Sequence, residues 1–141
     1  MAFSGLKVPG SLEPFTNLEI EHILPNKPED DLRSKWATEN PGMAYDDFKN
    51  RLGNLTLLEK PINIVAGNDF YTAKQVEYGK SGNYLTRSLV ALTDVGQNTS
   101  ITRINAKLEA FPTGNSVSIE RRHAMLIGLA QSIWKTTVID V

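Results

Sequence analysis

The sequence predicts an α+β fold in which a small β-hairpin lies within a mostly helical domain. Residues 16–24 and 54–59 combine β-branched and apolar side chains in partial alternation, a pattern that is typical of strands. Longer segments carry apolar residues three and four positions apart, which is typical of helices with one buried face. The chain has 141 residues, of which 40% are hydrophobic, so it is long enough to bury one core.

The first half of the chain contains both predicted strands. The first strand, 16–24, is expected to stop at Pro25, because proline has no backbone donor for a neighbouring strand. Acidic residues in a first turn and apolar residues four apart predict a helix over 28–39, and similar apolar spacing predicts another over 44–52. The second strand then follows the turn at Gly53.

The second half of the chain is predicted to be helical. Residues 62–78 fit a helix that Gly67 interrupts near its start, and residues 84–92 fit another. The last two predicted helices have apolar stripes, formed first by Ile101, Ile104, Leu108 and Phe111 and then, after Ser118 as N-cap, by Ile119, Leu126, Ile127, Ala130, Ile133 and Trp134. Because no domain boundary is visible, we expect a single domain over residues 1–141.

The composition excludes several classes of protein. The chain has no cysteine, which rules out a disulfide framework and a thiolate zinc site. No apolar run reaches the length of a membrane span, and we therefore expect no membrane partner. The net charge is −1, so no overall basic field marks the chain as a nucleic-acid binder.

The most informative dipeptide is Glu21-His22, at the end of the first predicted strand. An imidazole accepts a proton near neutral pH, and a carboxylate can hold a hard cation such as Mg²⁺. Neighbouring residues of a regular strand point to opposite faces, so both side chains can serve one site only if the strand twists, bulges or ends there, and Pro25 predicts an ending. Taken alone, the dipeptide favours a strand-end histidine beside an exposed glutamate.

Two asparagines nine positions apart form a second element. Asn54 follows Gly53 at a turn, and Asn63 lies near a predicted helix start, where asparagines are commonly structural. The amide oxygen of Asn63 is also a neutral ligand that suits Mg²⁺. The second histidine, His123, falls on or beside the apolar stripe of the last helix, and we expect it in the core or in an interface.

Together, Glu-His-Ile-Leu-Pro at 21–25, Gly-Asn-Leu-Thr-Leu-Leu at 53–58, Asn63 and Phe-x-x-x-Lys at 70–74 resemble the HNH nuclease superfamily. They are more closely similar to its DUF1524 branch, the C-terminal nuclease domain of GmrSD-type modification-dependent restriction enzymes. The resemblance implies a ββα-metal hairpin and helix over about residues 16–80, followed by C-terminal helices over about 99–136. It also implies that the chain is the C-terminal domain of a larger protein.

The resemblance implies a role for each of four residues. His22 is the general base, Glu21 and Asn63 are metal ligands, and Asn54 braces the loop between the strands and keeps His22 oriented. Two positions depart from the common pattern, since many relatives have aspartate before the histidine and histidine in place of Asn63. Asparagine at that third position suits Mg²⁺ or Mn²⁺ better than zinc.

Several basic residues are candidates for contact with a nucleic-acid backbone. Lys74 fits a phosphate contact and a solvated helix lysine about equally well. The other candidates are Lys80 and Arg87, and less specifically Arg103, Arg121 and Arg122.

The activity that the resemblance implies is metal-dependent nicking of DNA in a bacterial restriction or phage-defence system. The expected cofactor is Mg²⁺ or Mn²⁺, and the expected partners are DNA and an N-terminal DUF262-like nucleotide-hydrolysing or DNA-sensing domain, in the bacterial cytoplasm. One alternative is a catalytically degenerate HNH-like module that binds nucleic acid, and another is a structural helical domain with a coincidental match. Retention of Glu21, His22, Asn54 and Asn63 together favours the nuclease.

Overall fold

A computed structural model of the chain describes residues 17–92 and 107–135, and it confirms the predicted α+β fold. Strands β1 (Leu18–His22) and β2 (Leu55–Glu59) form a two-stranded antiparallel sheet. The register pairs Leu18 with Glu59 and His22 with Leu55, so both strands are paired along their whole length. The sheet is the element that positions the candidate site.

The other elements are helices, and most of them are shorter than predicted. The segment between the strands forms α1 (Asp30–Glu39), α2 (Tyr45–Phe48) and a 3₁₀ helix (Leu52–Asn54). After β2 come α3 (Lys60–Ala66), α4 (Tyr71–Tyr78), α5 (Tyr84–Arg87) and, near the end, α6 (Ser116–Trp134). None of the helices in the described residues has the length and apolar character that crossing a membrane requires.

The interruption predicted at Gly67 is confirmed, since it separates α3 from α4. Gly67 has φ of 53°, which places it in the left-handed region that glycine adopts without strain, and its backbone N–H caps α3 by donating to the carbonyl of Asn63. A proline near the start of α3, Pro61, suits the first helical turn, where no backbone donor is needed.

The two faces of the sheet are covered very differently. The inner face is formed by Glu19, Glu21, Thr56 and Leu58, and three of these four residues are buried. Helices α3, α4 and α5 lie over it, because residues from each of them hydrogen-bond to the inner face. The outer face is formed by Leu18, Ile20, Leu55 and Leu57, and Ile20 is 64% exposed there.

Helix α6 packs on the turn before β2 with almost no space between the two backbones. A Cβ atom placed on Gly53 would lie 2.0 Å from the carbonyl oxygen of Ile119 in α6, so only glycine fits at this position. Ile119 also joins a buried cluster with Leu24 and the aromatic residues of α1 and α2, namely Trp36, Tyr45 and Phe48. The C-terminal helix is therefore in direct contact with the segment that leads into β2.

Three predictions about the second half of the chain are wrong. Residues 107–111 are not helical, whereas 99–106 lie outside the described residues. Helix α6 begins at Ser116 with Asn115 as N-cap, because the Asn115 side chain accepts the backbone N–H of Ser118. Trp134, expected within the apolar stripe, is 68% exposed, because it is the last residue of α6.

Candidate active site

A buried ion pair lies at the end of β1. The Lys74 ammonium of α4 donates to Glu21 Oε1 at 2.6 Å and to the carbonyl oxygen of His22 at 2.8 Å. The hydroxyl of Tyr78, one helical turn after Lys74, also donates to Glu21 Oε1, at 2.7 Å. The side chains of Lys74 and Glu21 are only 1% and 8% exposed, so the pair is almost wholly removed from water. This cluster joins α4 to both residues of the Glu21-His22 dipeptide.

Burial and charge perturb the two partners of Glu21 in opposite directions. Burial lowers the pKa of Lys74, and the negative charge of Glu21 partly offsets this effect. Burial raises the pKa of Tyr78 far above its usual value, and the Glu21 carboxylate beside it raises that pKa further. Tyr78 is therefore a protonated hydrogen-bond donor to Glu21 throughout the physiological pH range.

His22 is the last residue of β1, and it is half-buried. Pairing stays regular through His22, so strand alternation directs Glu21 to the inner face and His22 to the other side. β1 ends at His22, two residues before the end that the sequence predicted at Leu24. Among the described residues, no side-chain hydrogen bond engages the His22 imidazole, which leaves a ring nitrogen available to a water molecule.

Asn54 holds the segment that follows His22. Its side chain is fully buried, accepts the backbone N–H of Leu24 at 2.7 Å, and donates to the carbonyl oxygens of Leu24 and Lys49 at 3.1 and 2.7 Å. Its own carbonyl oxygen accepts the backbone N–H of Ile23 at 2.9 Å. The two residues directly after His22 are thus fixed by one asparagine, because its amide group both donates and accepts hydrogen bonds.

Asn63 lies in α3 and contacts a carboxylate that sequence reasoning did not single out. Its amide nitrogen donates to Glu19 Oε2 at 2.9 Å, whereas Glu21 is engaged by Lys74 and Tyr78. Glu19 and Glu21 are two positions apart in β1, so they share the inner face. That period-two spacing of two glutamates was the signal in the sequence that could have identified Glu19.

The oxygen atoms of this region fit a hard divalent cation in their chemistry. Glu19 and Glu21 offer carboxylate oxygens, and Asn63 offers an amide oxygen, which are the donors that Mg²⁺ and Mn²⁺ prefer. Both hydrogen bonds to Glu21 end on Oε1, so Oε2 is the atom left to bind a cation. Within residues 17–92 and 107–135, no group of three or more histidine, cysteine, aspartate or glutamate residues could hold a metal by itself, so water would have to complete the coordination.

The three basic candidates have different environments. Lys74 is neither a solvated lysine nor exposed to a phosphate, because its ammonium is buried against Glu21. Lys80 is exposed and forms an ion pair with Glu77 at 2.7 Å. Arg87 donates to the carbonyl oxygen of Ser81 at 2.7 Å and lies over the ring of Tyr84. Only Lys80 and Arg87 therefore retain access to solvent.

Arg122 is the second buried cation and was not distinguished from its neighbours by sequence. It is 1% exposed, and its Nη1 donates to the carbonyl oxygens of Gly53 and Leu55 at 2.9 and 2.6 Å. Its Nε and Nη2 atoms are buried and have no hydrogen-bond partner among the described residues. Burial lowers the pKa of Arg122 to about 10, so the guanidinium remains charged at neutral pH.

A paired hairpin that carries a histidine at the end of its first strand, with a helix directly after the second strand, is compatible with the class of ββα-metal domains. The comparison with protein families then gives the family. Residues 5–129 match the family described as GmrSD restriction endonucleases, C-terminal domain. The chain therefore belongs to this family of HNH-type nuclease domains, which confirms the resemblance carried by the motifs.

Membership in this family implies endonuclease activity at the level of the family. No curated protein and no solved structure matches the chain.

Proposed function

We propose that this chain is a metal-dependent endonuclease domain that nicks DNA, with His22 as the general base. The observation that carries this proposal is the state of His22: the residue is half-buried, its imidazole has no side-chain partner in the described part of the chain, and Asn54 fixes the two residues that follow it. A general base needs an available ring nitrogen and a fixed position. Together with membership in a family of restriction endonucleases, this arrangement favours phosphodiester hydrolysis.

The chain's own residues would divide the chemistry as follows. His22 takes a proton from a water molecule, the water oxygen attacks the phosphorus atom, and the bond to O3′ breaks. The leaving O3′ takes a proton from solvent, which yields 5′-phosphate and 3′-hydroxyl ends. Asn54 keeps the end of β1 in place while His22 accepts the proton. Glu21 Oε2 and the amide oxygen of Asn63 would hold Mg²⁺ or Mn²⁺, with Glu19 beside Asn63 as a further carboxylate. When bound, the cation supplies positive charge against the phosphate oxygens.

The substrate and partners follow from the family. Its restriction enzymes act on DNA, so we propose DNA as the substrate and an N-terminal nucleotide-hydrolysing or DNA-sensing domain as the partner in a larger bacterial, cytoplasmic protein for phage defence. One site of this kind cleaves one strand, so a monomer is expected to nick. Lys80, which is exposed, and Arg87, which is partly exposed, remain candidates for backbone contacts, since Lys74 is committed to Glu21.

One observation favours a second candidate function. Glu21 is engaged by both Lys74 and Tyr78, which leaves it only one oxygen for a cation. A degenerate domain that binds nucleic acid without cleaving it would tolerate this arrangement. Such a module would show metal-independent DNA binding that weakens steeply with salt.

The test is a plasmid assay with two matched histidine variants. Supercoiled DNA, unmodified and modified, is incubated with the parent chain, His22→Ala and His123→Ala, each with Mg²⁺, Mn²⁺ or chelator. We expect metal-dependent nicking by the parent and by His123→Ala, and a loss of about 10²–10⁴ in rate in His22→Ala, because that is the usual contribution of a general base.

Other outcomes of this assay would contradict the proposal. Equal cutting by the parent and His22→Ala would remove His22 from the chemistry. If the parent cuts neither substrate with either metal but binds DNA in a salt-sensitive way, the binding module is the better description.

A further inference from the structure

The position of Arg122 is costly for the stability of the fold. A guanidinium that is 1% exposed has lost its hydration, and a buried charge without an anionic partner is unfavourable. Among the described residues no carboxylate pairs with Arg122, and its Nε and Nη2 atoms have no hydrogen-bond partner. An apolar side chain of similar size would fill the same space without this cost. The two hydrogen bonds that Arg122 does make therefore need a reason beyond stability.

Those two hydrogen bonds converge on one residue from both sides. Nη1 of Arg122 donates to the carbonyl oxygens of Gly53 and Leu55, which flank Asn54 in the chain. The contact is possible because Gly53 has no side chain, so that the backbone of α6 comes directly against this turn. A single nitrogen in α6 thus holds both carbonyl groups around Asn54.

The contacts of Asn54 continue to the end of β1. Its side chain holds the backbone N–H and carbonyl of Leu24, and its carbonyl oxygen holds the N–H of Ile23. These two residues directly follow His22. A continuous series of hydrogen bonds therefore leads from α6 through the turn to Ile23 and Leu24, the two residues that follow His22 in the chain.

We infer that Arg122 is a positioning residue of the active site: it fixes the Asn54 turn from α6 and thereby holds His22 in the orientation that proton transfer requires. This inference rests on the proposed function for its catalytic consequence. The C-terminal helix then contributes to catalysis without supplying a group that touches the substrate. Arg121, the adjacent arginine, takes no part, because it is exposed and pairs with Glu109 at 2.7 Å.

The test compares Arg122→Met with Arg121→Met, which remove the buried and the exposed member of the same dipeptide. For cleavage of supercoiled plasmid, we expect Arg122→Met to lower kcat by about 10²-fold, because small displacements of a catalytic group have effects of that size. KM should change by less than roughly 3-fold, since Arg122 contacts no substrate, and a uniform binding loss would instead raise KM. Arg121→Met removes an exposed charge and should leave kcat unchanged, whereas a backbone contact by Arg121 would appear in KM alone.

A second measurement does not depend on nuclease activity. Amide hydrogen exchange of Leu24, followed by NMR, reports directly whether Asn54 still holds the end of β1. We expect exchange at Leu24 to be faster by roughly 10-fold or more in Arg122→Met and unchanged in Arg121→Met. Arg122→Lys, which keeps a charged donor on α6, should recover part of both the protection and the kcat, and it serves if Arg122→Met does not fold.

Each outcome of the two measurements either supports or overturns the positioning role of Arg122. Normal protection of Leu24 in a folded Arg122→Met protein would overturn it, and so would equal losses of kcat in the two methionine variants. If the parent cleaves no DNA, the proposed function fails, while the exchange of Leu24 still shows whether Arg122 holds the turn. Loss of protection together with a fall in kcat at constant KM would support both.

Discussion

The inner and outer faces of the β1–β2 sheet differ in the kind of side chain that each one keeps from water. The inner face buries Glu21 and the polar Thr56, and it receives the buried ammonium of Lys74. The outer face leaves Ile20 64% exposed and, with Leu55 and Leu57, lines an apolar groove of about 610 Å³ beside α6. A sheet with one solvated face ordinarily shows the opposite arrangement, with apolar residues inside and polar residues outside.

This reversal indicates that the inner face, rather than the outer face, has a chemical function. A buried ion pair adds little net stability compared with apolar residues of the same size, so its presence is poorly explained by folding alone. Perturbed groups such as Lys74 and Tyr78 cluster at functional sites, where burial and charge are arranged for a task. The inner face, at the end nearest His22, is therefore the part of the sheet on which the proposed function depends.

The largest expected loss of unfolding free energy follows the removal of one charge from the inner face. Replacing Lys74 by methionine leaves the Glu21 carboxylate buried without its cation, which typically costs about 3–5 kcal/mol of unfolding free energy. Lys80→Met is the matched control, because the Lys80–Glu77 pair has almost the same length, 2.7 against 2.6 Å, but its lysine is 57% exposed. We expect the control to cost at most about 1 kcal/mol, as measured by urea denaturation.

A double replacement shows whether the cost comes from the stranded carboxylate. Lys74→Met combined with Glu21→Gln removes both charges, and it should recover most of the lost stability. If Lys74→Met were no more destabilising than Lys80→Met, the charge of Lys74 on the inner face would contribute no more to stability than a charge on the surface. The contrast between the two faces would then be wrong.

A smaller effect on the free energy of unfolding is expected from the phenol of Tyr71, which belongs to α4, one of the helices over the inner face. Burial raises the pKa of Tyr71 to about 12, and its ring centroid is 6.3 Å from that of Tyr78. The unfolded chain releases the Tyr71 proton near pH 10 and the folded chain only near pH 12. The stabilisation is therefore complete below pH 10 and falls as the pH rises through this window, by roughly 1 kcal/mol between pH 9 and 11.

The measurement is urea denaturation of the parent and Tyr71→Phe at pH 9 and pH 11. The parent should lose more stability than the variant, because the variant has no phenol to ionise. Arg122, whose positive charge acts to lower the pKa of Tyr71, is present in both proteins, so the difference between them reports Tyr71 together with its interaction with Arg122. Equal losses of stability in the two proteins would show that folding does not raise the pKa of Tyr71.

The parts of the fold that depend on local pattern were predictable from the sequence. Alternation marked both strands, Pro25 marked the end of the first, and the apolar stripe marked α6. His22 and Asn54 could be proposed as site residues because their motif is local to the ends of the strands. The helix predicted over 84–92 is limited to Tyr84–Arg87, since tertiary contacts decided its length more than propensity did.

The parts of the site that depend on distant contacts were not predictable. Lys74 and Tyr78 meet Glu21 across more than fifty positions of sequence, and no periodicity within a helix encodes such a partner. The sequence fitted Lys74 equally well to a phosphate contact and to a solvated helix lysine, and it did not distinguish Arg122 from Arg121, because a charged residue is buried only when the rest of the fold supplies its partners. Burial of a cation is a property of the tertiary structure.

The smallest change in the free energy of unfolding is expected from a replacement on the outer face. Ile20→Thr keeps a β-branched side chain at an exposed strand position, so we expect the free energy of unfolding to change by less than about 0.5 kcal/mol. Leu58→Thr makes the same replacement type on the inner face, where the side chain is fully buried, and it should cost about 2–5 kcal/mol. A large loss from Ile20→Thr would mean that the outer face is covered in the folded chain, and the apolar groove would then belong to the core.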